Sequence, residues 1–304
     1  MVFNTVIVIG AGKIARWCLS ALLQDSRRKM LDKLIYIENG NIIASSMKEY
    51  CEKSDVLYFQ PQSRKDIVTF LLHKQENTLI ISAANYFIFP EEIVSKINFY
   101  IINYHDALLP SYPGRNAVTW AIYNNEEETG ITWHKVSAEI DAGDIIKQEK
   151  ITITEDIKAY ELLQKSFNSA FQCFDSFVDR LLIANIDTQK QTIPDNRKIY
   201  LSTEIPNGGL IDTHMSGFDA YKLLRSMDYA GLAIMPPLKI IHDGRENIVF
   251  KYSKTPVNKN NHGSVIEKSA RDEKTVMFKY NQEFDLLLRI KRQGVSNNNL
   301  LEQS

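Results

Sequence analysis

"NTVIVIGAGKIARWCLSALLQ", residues 4–24, is the stretch whose reading decides the fold. Its first half is a short run, Val6 to Ile9, apolar at every position, as a strand buried on both faces reads. Its second half sets Ile14, Trp17, Cys18, Ala21 and Leu22 at helical spacing, and Gly10 and Gly12 supply the turn between them. That is the start of a β-turn-α unit. Outward from it, "KLIYIE" (33–38), "VLYF" (56–59), "TLIISAA" (78–84) and "FYIINYH" (99–105) read as further short strands. Helix-like stretches lie between them around 43–52, 63–75 and 90–97, the second headed by a capping Ser63. The alternation predicts an α/β fold, Rossmann-like, with a doubly wound and mostly parallel sheet.

After residue 110 the pattern changes. "VTWAIYNN" reads as a helix, "GITWHKV" and "DIIKQEKITI" as a strand pair, and 157–185 as a long amphipathic helix with Tyr160, Leu163, Phe167, Phe171, Phe174 and Phe177 on a core face. Residues 186–209 are polar, contain proline and end in two glycines, as a connector would. A helix over 216–227 and strand-like runs at 238–242, 247–252, 264–267, 275–280 and 284–290 follow, which predicts a smaller β-rich C-terminal domain. The expected organisation is therefore a larger α/β domain over 1–185, a connector over 186–209, the β-rich domain over 210–293 and a loose tail over 294–304.

The chain of 304 residues can bury a sizeable core, and its net charge of −1 gives no whole-protein field toward nucleic acid or an anionic membrane. The halves differ: residues 239–292 hold 12 Lys/Arg against 7 Asp/Glu, and residues 1–238 carry −5. Cys18, Cys51 and Cys173 are too few and scattered for a disulfide framework, and no apolar run reaches the length of a membrane span. The expectation is a soluble, unprocessed, cytoplasmic protein that needs no metal and no membrane.

The chemistry gathers in "YIINYHDALLPSYPGRNAVTW", residues 100–120. Asn103 and His105, two apart on a strand, share one face at the mouth of the sheet, where open α/β sheets place their ligands. An amine attacking an acyl or formyl carbon needs a donor for the oxyanion, a group that manages the amine proton and an anion beside a transient imidazolium. Asn, His and a carboxylate fill those roles, and Asp141 and Asp144 of "AEIDAGDII" are both candidates for the last.

Taken in order, "INYHDALLPSYPG", "GITWHKV" and "EIDAGDIIKQ" resemble the active-site signature of the folate-dependent formyltransferases, strongly over 78–175 and more weakly over 1–77. Past 200 only "NGGLID", "YKLLRSMDY" and "PPLKI" are similar to the longer members. The resemblance implies 10-formyltetrahydrofolate as co-substrate and Asn103, His105 and Asp141 as the catalytic residues. It also implies a folate slot along "NYFIFPEEI" and the "AEIDAGD" loop, lined by Phe87, Ile88 and Phe89 with backbone from Glu139, Ile140 and Gly143. Asp106 stands where the family usually has a small residue and reads first as a loop acid and second as a holder of a polar substrate. His134 reads equally as a border of that slot and as a half-buried strand histidine. Arg115 and Asn116 are weaker candidates for an acceptor phosphate or carboxylate.

The expected function is N-formylation of a primary amine on a small acceptor, first a nucleotide-linked amino sugar. The second choice is methionyl-tRNA or a carrier-tethered aminoacyl group. A homodimer is left open. Two readings compete. "VIVIGAGKIA" fits the G-x-G-x-x-A of a dinucleotide turn, with Glu38 about where a ribose-binding acid stands, so an NAD-dependent oxidoreductase is the alternative of another class. It leaves 103–148 without a role. A binding module that kept the fold and lost turnover is disfavoured by the presence of all three catalytic residue types.

Overall fold

The computed structural model describes residues 3–39, 45–242, 244–257 and 273–292; the run expected as a strand at 264–267, the first positions of the helix expected over 43–52 and the tail over 294–304 lie outside them. The chain separates into two compact units, the first made of residues 1–118, 127–153 and 162–201. The polar segment expected as a bare connector is thus divided, and its residues as far as Leu201 belong to the first unit.

In chain order the first unit runs β1 (Thr5–Gly10), α1 (Gly12–Leu22), α2 (Asp25–Arg28), β2 (Lys33–Glu38), α3 (Ser45–Lys53), β3 (Leu57–Phe59), α4 (Arg64–Leu72), β4 (Thr78–Ala83), α5 (Glu91–Val94) and β5 (Phe99–His105). Along the chain there follow α6 (Ala117–Tyr123), which from Thr119 on belongs to the second unit, the strands β6 (Glu128–Lys135) and β7 (Ile145–Thr152), and the long α7 (Ala159–Leu182), which from Leu162 on belongs to the first. The sheet has seven strands in the order β3-β2-β1-β4-β5-β6-β7. The first five are parallel, and β6 and β7 close the edge as antiparallel neighbours. Every position of β1 and β4 is buried, as expected of strands covered on both faces. The chain winds outward from β1 to β3 and then returns to β4 beside β1, so the topological switch lies between those two strands.

Local chemistry sets the start of α4. Ser63 caps α4 by accepting from the Asp66 N–H, while Asp66 answers the Ser63 N–H, a reciprocal capping box. Trp133 of β6 is buried against Phe174 and Phe177 and donates its Nε1–H to the Ala170 carbonyl at 2.9 Å. Phe174 and Phe177 are the deep part of the expected aromatic face; Phe167 and Phe171 are only half-buried. The short α2 has no sequence signal of its own, because Arg27 within it is held by Asp175 and Asp179 from far along the chain.

The second unit, residues 119–126, 154–161 and 202–304, carries a five-stranded sheet. Its strands are β8 (Leu210–Ile211), β9 (Lys239–His242), β10 (Arg245–Pro256), β11 (Glu273–Lys279) and β12 (Phe284–Arg292), in the order β11-β12-β10-β9-β8. The helix α8 (Gly217–Ser226), capped by Ser216, packs Tyr221, Leu223 and Leu224 into a core with Ile240, Leu286, Leu288 and Ile290. The smaller β-rich domain is therefore present. β10 is longer than its apolar run suggests because β12 pairs along most of its length, across a bulge between Val249 and Lys251.

Candidate active site

The sheet register assembles the site. On β5, Asn103 lies beside Ser82 of β4 on one side and beside His134 of β6 on the other. In-register neighbours point to the same face, so three polar side chains form a row across three strands. The Ser82 hydroxyl donates to Asn103 Oδ1 at 2.7 Å, and Asn103 Nδ2 lies 3.2 Å from His134 Nε2. His105, two residues on, donates its Nε2–H to the Tyr112 carbonyl at 2.8 Å, and its Nδ1 faces Asp141 Oδ2 at 3.6 Å. Asp141 Oδ1 lies 3.6 Å from His134 Nε2, and Oδ2 accepts the Gly114 N–H at 2.7 Å. Asn103, His105 and Asp141, read from the sequence as one constellation, are thus brought together.

Of the two acids left open by the hairpin pattern, Asp141 faces the imidazoles. Its backbone takes a left-handed φ of +49°, which turns the carboxylate back toward β5. Burial pushes that carboxyl up, but His105, His134, the Gly114 N–H and Arg197 together outweigh burial and hold it below the usual carboxylate range. His134 is buried, and burial lowers its pKa to about 4 against the opposing pull of Asp141. It is therefore neutral near pH 7. Its Nδ1 lies 2.8 Å from the Lys135 carbonyl and donates to it, which leaves Nε2 as an acceptor for the Asn103 amide.

Two loops and a strap frame this centre. The strap is the chain from 187 to 200. Gln189 pairs with Ile145, and Gln191 Nε2 donates to the carbonyls of Asp141 at 2.9 Å and Gly143 at 2.7 Å. Arg197 reaches the Ile140 carbonyl at 2.8 Å and Glu139 at 3.3 Å, and Tyr200 stacks on Tyr112 while pairing with Gly114. Gly114 has to be glycine on two counts: its φ is +97°, and a Cβ there would lie 2.2 Å from the Tyr200 carbonyl oxygen.

The residues expected along the folate slot take distinct positions. Phe87 is buried in the β-sheet core with Phe89 packed edge-on against it, Ile88 is 59 % exposed, and Ile140 and Glu139 are exposed on the Asp141 loop. Gly143 is buried, where a Cβ would meet the Lys135 carbonyl oxygen at 1.9 Å. A cavity of about 230 Å³ is lined by Asn39, Ser63, Arg64, Tyr86, Phe87 and Ile88. The Arg115 guanidinium lies over the Tyr86 ring, 4.3 Å from its centroid, and Asn116 sits at φ +60°. Ser82, Asn85, Gly114, Gln191 and Arg197 were not singled out by sequence reasoning. Their roles come from register and from loop closure over long separations, which no local pattern carries.

The glycine turn does not support the oxidoreductase alternative. Gly10 is packed so closely on β4 that a Cβ would lie 1.8 Å from the Ala83 carbonyl oxygen, and its own carbonyl accepts from the Tyr36 hydroxyl and the Asn39 N–H. Glu38 is 4 % exposed and accepts from the Tyr58 hydroxyl, so its carboxylate faces inward and not toward a ribose. Among the described residues no helix is long and apolar enough to cross a membrane, and no His/Cys/Asp/Glu group could hold a metal ion.

A profile of the formyl transferase family matches residues 35–174. The methionyl-tRNA formyltransferase of Malacoplasma penetrans is 26 % identical over 290 residues, covering 93 % of this chain and 87 % of that one. The methionyl-tRNA formyltransferase of Caldanaerobacter subterraneus is 31 % identical over 209 residues, 68 % of this chain and 65 % of that one. Among solved structures, the N-formyltransferase from Helicobacter canadensis, in complex with folinic acid and dTDP-3-aminofucose, superposes with a TM-score of 0.71 at 17 % identity, covering 95 % of this chain and 99 % of that one.

Proposed function

Since the chain belongs to the folate-dependent formyltransferases, we propose that it moves a formyl group from 10-formyltetrahydrofolate to the primary amine of a nucleotide-linked amino sugar. The observation that carries the chemistry is the convergence of Asn103, His105 and Asp141 at the ligand end of the sheet. The surroundings suit a folate: Tyr86, Ile88 and Ile140 are exposed apolar residues on the flanking loops. Arg64 in the cavity beside Phe87 is a cation for the glutamyl carboxylates. When bound, the co-substrate supplies an electrophilic formyl carbon and a nitrogen that leaves protonated.

The protein's part is donation and proton handling. Asn103 has one Nδ2–H committed to His134 and offers the other to the formyl oxygen as negative charge gathers there. His105 supplies a cationic imidazole when protonated, with Asp141 as its counter-anion. The carboxylate, kept ionised, takes the proton released by the attacking amine, directly or through a water, and the proton ends on the departing nitrogen.

Two observations favour the small acceptor. The Arg115 guanidinium has no carboxylate partner among the described residues and lies at the loop edge, where a diphosphate would meet it. The sugar-nucleotide ligand bound by the Helicobacter canadensis neighbour is of this class. Methionyl-tRNA is the second reading, favoured by the names of the sequence relatives.

The test offers the purified protein 10-formyltetrahydrofolate with amino-sugar nucleotides, aminoacyl carriers or charged initiator tRNA, following tetrahydrofolate release and formylated product. Asn103→Ala, His105→Ala and Asp141→Ala should each lower kcat by roughly 10²–10³-fold while the circular dichroism is retained. Native rates in all three variants would remove the catalytic assignment; product with tRNA alone would reverse the choice of acceptor.

A further inference from the structure

An asparagine amide fits a strand either way round, and the two orientations present opposite chemistry to a reacting group. Here the neighbours decide. Asn39 Nδ2 donates to Asn85 Oδ1, Asn85 Nδ2 donates to Ser82 Oγ at 3.1 Å, and the Ser82 hydroxyl donates onward to Asn103 Oδ1 at 2.7 Å. Asn103 Nδ2 then donates to His134 Nε2 at 3.2 Å, and His134 Nδ1–H donates to the Lys135 carbonyl at 2.8 Å. Every bond runs in the same direction along one row, from the end of β2 through β4 and β5 to β6. Ser82 is 1 % exposed and His134 2 %, so neither can exchange its partner for bulk water. Turning the Asn103 amide over would set its oxygen against the lone pair of His134 Nε2 and its NH₂ against the Ser82 hydroxyl, whose own buried hydrogen would then lose its acceptor. Both contacts are costly in a buried row.

We propose that Ser82 and His134, backed by Asn85, are positioning residues that lock the Asn103 amide with its nitrogen toward the reacting centre, so that it acts there only as a hydrogen donor. The inference rests on the formyl-transfer reading for what the donor does, and on the geometry alone for which way the amide lies. It also assigns His134, which the sequence left between a slot border and a structural histidine, the task of accepting from the catalytic amide in its neutral Nδ1–H form.

Two measurements test it, and the first needs no substrate. In protein labelled with ¹⁵N-histidine, long-range ¹H–¹⁵N spectra should show the His134 ring as the neutral Nδ1–H tautomer from pH 8 to 5.5, with the Nε2 resonance shifting in Asn103→Ala. An Nε2–H tautomer overturns the proposed orientation, whatever the enzyme turns over. The second is a double-mutant cycle, run with 10-formyltetrahydrofolate and the acceptor used in the panel above. Ser82→Ala should lower kcat about tenfold with both KM values within about twofold, and Ser82→Thr, which keeps the hydroxyl, should recover most of the loss. In the Asn103→Ala background, Ser82→Ala should cost less than about twofold. An equal loss in both backgrounds would mean that Ser82 acts independently of Asn103, and would overturn its positioning role. A native enzyme inert toward every acceptor would sink the formyl-transfer reading, and the tautomer would then decide the orientation by itself.

Discussion

At the scale of single residues, the cluster of Asn103, His105 and Asp141, whose catalytic role is proposed, was legible because their types and order along the chain resemble one family's signature. Asn103 and His105 share a strand face by their spacing alone, and D-A-G-D offers an acid in a tight turn. What the sequence could not carry is the neighbour across the sheet: Ser82 is an unremarked residue at the end of an apolar run until register sets it beside Asn103. The same burial that makes His134 a neutral acceptor has a cost in acid. In the unfolded chain this histidine titrates near 6.5, and in the folded protein burial lowers its pKa to about 4. Between those values the unfolded state binds the extra proton, so stability falls as the pH drops through the window, by about 3 kcal/mol at its lower end. Asp141 works in a separate range, since its lowered pKa contributes stability that is lost only below about pH 4. Urea midpoints measured at pH 7 and 4.5 should therefore fall further for the native protein than for His134→Gln; equal falls would show that His134 is not held neutral by burial.

At the scale of elements, the parallel sheet followed from the β-turn-α opening, whereas the role of the polar segment after α7 did not. Its composition is that of a linker, and polarity in a sequence says nothing about whether an amide is spent on water or on a carbonyl. Gln191 spends both of its Nε2 hydrogens on the backbone of the Asp141 loop, and Arg197 and Tyr200 clamp the same loop and the Gly114 turn. A loop whose acid sits at φ +49° needs such bracing, because the left-handed region costs a non-glycine residue about 1 kcal/mol or more. Gln191→Ala should lower stability by about 1–3 kcal/mol through the two carbonyls it strands, and lower kcat by roughly tenfold as the carboxylate loses its fixed distance to His105. Thermal unfolding and steady-state kinetics of the one variant check both parts. A stability loss with unchanged kcat would make the strap structural only.

At the scale of the whole molecule, charge argues about the acceptor where the proposed active site cannot, since every primary amine would present the same nucleophile to Asn103, His105 and Asp141. Residues 1–238 carry −5, and the basic excess of residues 239–292, 12 Lys/Arg against 7 Asp/Glu, lies within the second unit. A polynucleotide acceptor is held chiefly through its phosphates, and each neutralised phosphate releases counterions, so 6–10 such contacts weaken binding by about 10³–10⁵ between 50 and 200 mM salt. A sugar carried on a nucleoside diphosphate has at most two phosphates to offer, and one free guanidinium such as Arg115 is commensurate with that. The KM for the acceptor should accordingly rise by less than about tenfold over this salt range, while the KM for 10-formyltetrahydrofolate changes little. Arg115→Ala should remove most of the remaining salt dependence without altering kcat at saturating acceptor. A rise of a hundredfold or more that persists in Arg115→Ala, and that disappears when the basic residues of β10 and β12 are neutralised, would place the acceptor's phosphates on the second unit and identify it as RNA.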